Sequence, residues 1–251
     1  MDSLWFRTVG QTADGHSEAL RLVCFPHAGG SAGTYVPLTR ALAPEIEVRA
    51  VQYPGRQDRR RETPVADLLD LAGRIAERLH EAGPRPFAFF GHSMGALLAF
   101  ETARALRAAG RPLPVRLFLS GRGAPTGSTN PHDVMPDDAA ILRAVRMLGG
   151  AGAGLLEDPE LRDLALPALR ADYRALAAHD WRPEPPLEVP ITVLTGREDP
   201  VVPTAEAARW AEQTTAAEDT RVFPGGHFYL DDHLADVADV VRERLRAVPA
   251  H

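Results

Sequence analysis

The five residues Gly91-His92-Ser93-Met94-Gly95 stand directly after an apolar, β-forming run (PFAFF) and directly before a helical one (ALLAFETARAL). A serine placed this way between two glycines predicts a sharp strand-to-helix turn, because such a turn strains the central residue and leaves no room for side chains beside it. The turn would expose the Ser93 hydroxyl at the end of the strand. It would also open a helix at Met94, whose N–H has no preceding helical turn to bond and is free to face a developing negative charge. A purely structural strand-to-helix turn is the competing reading, and it leaves the serine unexplained.

Around this motif, β-forming runs near Leu22, Val48, Phe89, Phe118, Val193 and Val222 alternate with helical periodicity over 33–43, 65–82, 94–109, 204–213 and 233–247. Strands alternating with helices predict an α/β fold, a mostly parallel central sheet flanked by helices. One interval breaks the rhythm. About 70 residues separate VRLFLS from ITVLT, more than a simple crossover needs. They hold two further helical patterns, 137–148 and 159–178, the second interrupted by Pro167, on either side of the flexible GGAGAGLLED. The expectation is a single domain over 1–251 with a helical lid insertion at about 123–186. Such a lid would cover the carboxyl ends of the strands, where open α/β sheets bind their ligands.

Composition removes several chemistries. All 28 basic residues are arginine, so lysine Schiff bases, Ser/Lys dyads and the lysine of a phosphate-binding P-loop are excluded. The formal charge of −6 argues against a nucleic-acid partner. The single cysteine, Cys24, excludes an internal disulfide and reads as a small buried hydrophobe, and no Cys/His cluster has zinc-site spacing. No metal or cofactor is expected. No apolar run approaches a membrane span and no signal-peptide pattern opens the sequence, so a cytoplasmic protein is expected.

A serine nucleophile requires a base, and the base requires an orienting acid, in the chain order Ser, acid, His. Of the 9 histidines, His227 in PGGHFYL is best placed, between the last strand run and the last helix. His233 reads as a surface histidine at the start of that helix, and His92 as a packing neighbour of the nucleophile. The acid should follow the penultimate strand, where TGREDP offers Glu198 and Asp199. Pro200 biases Asp199 towards an extended turn conformation, which makes it the choice, with Glu198 as the alternative. Asp231 and Asp232 read as helix N-terminal charges. The second oxyanion donor should come from the loop after an early strand, and FPHAGG offers the Ala28 N–H with Gly29 and Gly30 beside it. Met135, Met147, Tyr173 and Trp181 read as core residues or as the lining of a substrate chamber, with core the simpler reading.

Taken together, FPHAGG, YPGR (53–56), FFGHSMGALLAFE, TGREDP and GGHFYL resemble the discrete type II thioesterases that accompany polyketide and nonribosomal peptide synthases, members of the α/β-hydrolase superfamily. The resemblance runs nearly end to end. It implies Ser93, Asp199 and His227 as a catalytic triad and Ala28 and Met94 as oxyanion-hole donors. It also implies hydrolysis of unwanted, often short, acyl groups from the phosphopantetheine arm of acyl or peptidyl carrier proteins, an editing role. A free-standing monomer meeting its carriers transiently is expected. A carboxylesterase or lipase acting on small oxygen esters would share the same triad. Because carriers are usually acidic, Arg56, Arg59, Arg60 and Arg61 in GRQDRRRE suggest a docking patch, although Asp58 and Glu62 also fit a solvated, charge-balanced loop.

Overall fold

The computed structural model describes residues 4–9, 20–81, 85–125, 130–150 and 152–247. In chain order its elements are β1 (Phe6–Thr8), β2 (Arg21–Phe25), α1 (Val36–Leu42), β3 (Glu47–Val51), α2 (Leu68–Glu81), β4 (Phe87–His92), α3 (Met94–Ala108) and β5 (Leu117–Ser120). There follow α4 (Asp138–Leu148), α5 (Pro159–Ala177), β6 (Ile191–Gly196), α6 (Thr204–Ala208), β7 (Glu218–Phe223), α7 (Tyr229–Asp232) and α8 (Leu234–Arg246). Among the described residues seven strands form one sheet in the order β1-β3-β2-β4-β5-β6-β7. Only β1 runs antiparallel to its neighbour.

Strand side chains alternate between the two faces of a sheet, and here both faces are covered. Val23, Phe25, Phe89, Leu117, Leu119 and Val193 join a core with α2 and α3. Leu22, Cys24, Ala88, Phe90, Phe118 and Leu194 join a second core with α1 and α8. Burial on both sides explains why these strands read as continuous apolar runs. The chain steps from β2 outward to β3, then crosses back over β2 to β4. The loops leaving β2 and β4 therefore diverge at a topological switch point, where a crevice opens at the carboxyl ends of the strands. FPHAGG and GHSMG are those two loops.

The strand runs and the parallel sheet agree with the sequence reading. The three-residue β1 carried too little pattern to be read. The 204–213 pattern is a short α6 continued by a tighter 3₁₀ turn, and 233–247 is preceded by the separate α7. The helix expected to break at Pro167 does not: α5 runs through it. Pro167 is exposed while Leu166, Ala168 and Leu169 are buried, so water can take up the carbonyl that the proline ring leaves unbonded.

Between β5 and β6 the chain forms the helical pair α4 and α5. Each helix starts at an aspartate cap, Asp137 accepting from the Ala140 N–H and Asp158 from the N–H groups of Glu160 and Leu161. Where the insertion returns to the sheet, Glu101 of α3, itself buried, accepts both from Arg104 and from the His179 ring, and Arg104 also bonds Glu184 and lies over the Trp181 ring. Trp181 is thus part of this seam, Tyr173 is buried, Met135 packs against the core and Met147 is 53% exposed.

The supposed docking patch divides in two. Arg60 and Arg61 are exposed, but Arg56 and Arg59 are buried. Arg59, 4% exposed, donates to Gln52 O and to the Glu62 carboxylate and lies over the Trp5 ring. Four arginines in six residues looked like a surface cluster because sequence spacing does not show which guanidinium turns inward onto backbone carbonyls. Removing Arg59 leaves the buried Gln52 carbonyl without its donor. Arg59→Ala should therefore lower stability by about 2 kcal/mol in urea denaturation, whereas Arg60→Ala should stay within about 0.5 kcal/mol of the parent.

Candidate active site

Strand pairing sets the site. Phe25 pairs with Gly91 and His92 with Ser120, so the Pro26–Gly30 loop, Ser93 and Gly121 leave the sheet at one level. Ser93 has φ 57° and ψ −119°, a strained conformation for a residue with a side chain. Its own N–H is held by Ser120 O at 2.8 Å. The flanking glycines are dictated by contact. A Cβ on Gly91 would lie 2.1 Å from Gly95 O, and one on Gly95 would lie 2.0 Å from Phe25 O. Ser93 remains partly exposed while Met94 behind it is buried.

The acid and base loops meet by a similar close approach. A Cβ on Gly196, at the end of β6, would lie 2.2 Å from Gly226 O, so no larger residue lets these loops touch. Across this contact the His227 Nδ1–H donates to Asp199 Oδ2 at 2.8 Å, with His227 only 1% exposed. The other Asp199 oxygen accepts the N–H groups of Val201 and Val202 at 2.9 and 3.2 Å. Both carboxylate oxygens are thereby held, and His227 Nε2 is left buried and without a hydrogen-bond partner. Glu198, the alternative acid, instead accepts the Gly225 N–H at 2.6 Å and braces the loop. His233 lies near Asp236 on the exposed side of α8.

The His92 ring lies 5.0 Å from that of His227. Its Nδ1 bonds Ser120 Oγ, which in turn bonds the Tyr229 hydroxyl. His27 and Phe228 complete an aromatic group around it. Burial, with His227 and His27 nearby, pushes the His92 pKa well below the usual histidine range. Burial, His227 and Arg56 push that of His27 down to about 4. Both rings are therefore neutral at physiological pH and add no positive charge against the formation of an imidazolium at His227.

In the FPHAGG turn the Gly29 N–H is taken by Asp172 at 2.7 Å and the Gly30 N–H by His27 O at 2.9 Å. The Ala28 N–H is left without a partner among the described residues. Met94, as the first residue of α3, has its N–H outside the helical ladder. Asp172 escaped the sequence reading, and Arg56, read there as part of a docking patch, is its buried partner. The available signal was phase: Asp172 falls on the buried stripe of α5 with Ala168, Leu169, Ala175 and Leu176, where a lone carboxylate demands a partner. A cleft of about 440 Å³ opens beside the Asp199 loop, lined by Leu97, Arg122, Leu176, His179, Pro200 and Val201 among others. Among the described residues no group of three or more His, Cys, Asp or Glu is placed to hold a metal ion.

A family model described as a thioesterase domain matches residues 20–245. A Streptomyces griseus protein named as a cadicidin biosynthesis thioesterase is 47% identical over 237 residues, covering 93% of this chain and 65% of the relative, so the chain spans about two thirds of that protein's length. Among solved structures, the type II thioesterase BorB from the borrelidin biosynthetic cluster has a TM-score of 0.85 at 41% identity, over 98% of this chain and 99% of that one. YbtT, a type II thioesterase from the yersiniabactin NRPS/PKS biosynthetic pathway, has a TM-score of 0.80 at 29% identity, over 94% and 96%. The architecture is the α/β-hydrolase fold.

The glycine contacts make a paired prediction. Gly95→Ala should destabilise by about 3 kcal/mol and remove activity, because the new methyl meets backbone rather than a movable side chain. Gly73→Ala, with nothing within 4 Å of its Cβ inside α2, should stabilise by about 0.5–1 kcal/mol. The neutral histidines set a pH dependence. The unfolded chain takes up a proton at His27 near the ordinary 6.5, while the folded chain resists until about 4. Stability should therefore be full above 6.5 and fall as pH drops through that window. In urea titrations across pH, His27→Gln should flatten the fall by about 1.4 kcal/mol per pH unit.

Proposed function

The chain belongs to the thioesterase family, and from that footing we propose that it is a type II thioesterase hydrolysing acyl groups from the phosphopantetheine arm of acyl or peptidyl carrier proteins. Its place is then beside a polyketide or nonribosomal peptide synthase, clearing short or aberrant acyl groups. No described helix is long and apolar enough to cross a membrane, in keeping with a cytoplasmic partner enzyme.

One observation supports the mechanism: the His227 ring is fixed at Nδ1 by Asp199, keeps a buried, unbonded Nε2, and lies 5.0 Å from the ring of His92, the residue before Ser93. In the proposed reaction Ser93 Oγ attacks the thioester carbonyl while His227 Nε2 takes its proton. Asp199 holds the imidazolium. The carbonyl oxygen, now an anion, faces the N–H groups of Ala28 and Met94. Collapse breaks the C–S bond, and the leaving thiol takes the proton from His227. Water, deprotonated by the same ring, then attacks the acyl-Ser93 ester, and Ser93 leaves with the proton returned. The thiolate is a good leaving group, so positioning and oxyanion stabilisation supply most of the acceleration. The helical insertion serves as the lid: Gly150, between α4 and α5, sits against the Phe228 ring, and Leu169 of α5 packs on Gly29.

Ser93→Ala should abolish both thioester turnover and covalent labelling by a fluorophosphonate, with the fold retained by circular dichroism. The parent protein should hydrolyse short acyl-carrier thioesters and simple acyl thioesters faster than the matched oxygen esters. A preference for the oxygen esters would replace the thioesterase reading with that of a carboxylesterase.

A further inference from the structure

The α5 helix reaches into the oxyanion turn through one buried ion pair. Asp172, 1% exposed, accepts two hydrogen bonds from the Arg56 guanidinium, both at 2.8 Å, and a third from the Gly29 N–H at 2.7 Å. Arg56 donates as well to Gly30 O at 3.2 Å and lies over the Tyr53 ring, whose hydroxyl donates to Pro26 O at 3.0 Å. The turn is thus held at Pro26, Gly29 and Gly30, and the residue between, Ala28, carries the N–H that has no partner. Gly29 has φ +75°, and a Cβ there would lie 2.5 Å from Leu169 Cδ2, so helix and turn are in direct contact.

We propose that Asp172, oriented by Arg56, is a positioning residue for the oxyanion hole, so that the hole is complete only while the α5 part of the insertion is seated on the FPHAGG turn. The Asp172 bond fixes the plane of the Ala28–Gly29 peptide, and the Gly30 N–H bond to His27 O at 2.9 Å fixes that of the His27–Ala28 peptide, so the two together set the direction of the Ala28 N–H. A contribution to stability alone does not account for the pair, because buried ion pairs replaced by well-packed apolar residues usually leave a fold as stable or more so. A bidentate fork gives direction instead. The inference rests on the serine-hydrolase mechanism proposed above and adds to it a dependence of chemistry on the insertion.

The same property of buried pairs supplies the test. The double variant Arg56→Met/Asp172→Leu removes both charges at once, and Asp172→Asn keeps an oxygen for the Gly29 N–H while weakening the tie to Arg56. Each is compared with the parent by thermal denaturation, by kcat and KM on a short acyl thioester of N-acetylcysteamine, and by the second-order rate of Ser93 labelling with a fluorophosphonate. The double variant should lose about 10- to 100-fold in kcat with KM within about twofold, and labelling should slow in parallel. Asp172→Asn should lose less, about 3- to 10-fold. A folded double variant with kcat and labelling within about twofold of the parent would overturn the proposal, as would a rise in KM at unchanged kcat. Should the double variant fail to fold, Asp172→Asn decides by the same two measures. A parent protein that labels but does not turn over thioesters would remove the thioesterase reading alone, since the labelling comparison still decides the role of Asp172.

Discussion

Two close backbone approaches govern this molecule, one at Gly91 against Gly95 and one at Gly95 against Phe25 O. A chain leaving a buried parallel strand and entering a helix within one residue must bring helix backbone against strand backbone, and any side chain at either position would wedge them apart. Given that contact, Ser93 has no relaxed conformation to adopt. It is held at positive φ by the Ser120 O hydrogen bond behind it and α3 in front. The strain is offset by the packing of both cores around the sheet, and in return the hydroxyl projects from the scaffold at a set angle.

The rest of the site follows from where the other strands end. At the switch point between β2 and β4 the FPHAGG turn faces the serine, and the contact of Gly196 with Gly226 brings the acid and base loops to the same level. A buried carboxylate is tolerable there because both its oxygens accept hydrogen bonds, one from two backbone N–H groups and the other from the His227 ring. Two further histidines lie close to that ring. Burial keeps them neutral.

Buried ion pairs tie the helical insertion to the body, beginning with Arg122 and Asp133 at its start. At the return to the sheet, Glu101, Arg104 and His179 form a buried network on α3. At the turn beside the nucleophile, Arg56 and Asp172 form another. Elsewhere in the insertion, Gly150 lies against the Phe228 ring.

What the sequence determined by itself was whatever depends on local rules. Short apolar runs rich in β-formers marked β2 to β7, helical periodicity marked the layers, and a serine between glycines at a strand-helix junction marked the turn. The order of motifs pointed to His227 as base and, with Pro200, to Asp199 as acid, Glu198 being the alternative. Tertiary structure decided how that carboxylate meets the ring, since this depends on two loops touching through Gly196 and Gly226. It also turned Arg56 and Arg59 inward, carried α5 unbroken past Pro167 on its solvated face, and joined Arg56 to a carboxylate 116 positions away. Partners that distant are chosen by the folded path of the chain, and a side chain's direction at a turn is set by which carbonyls and carboxylates surround it, neither of which is written in local spacing.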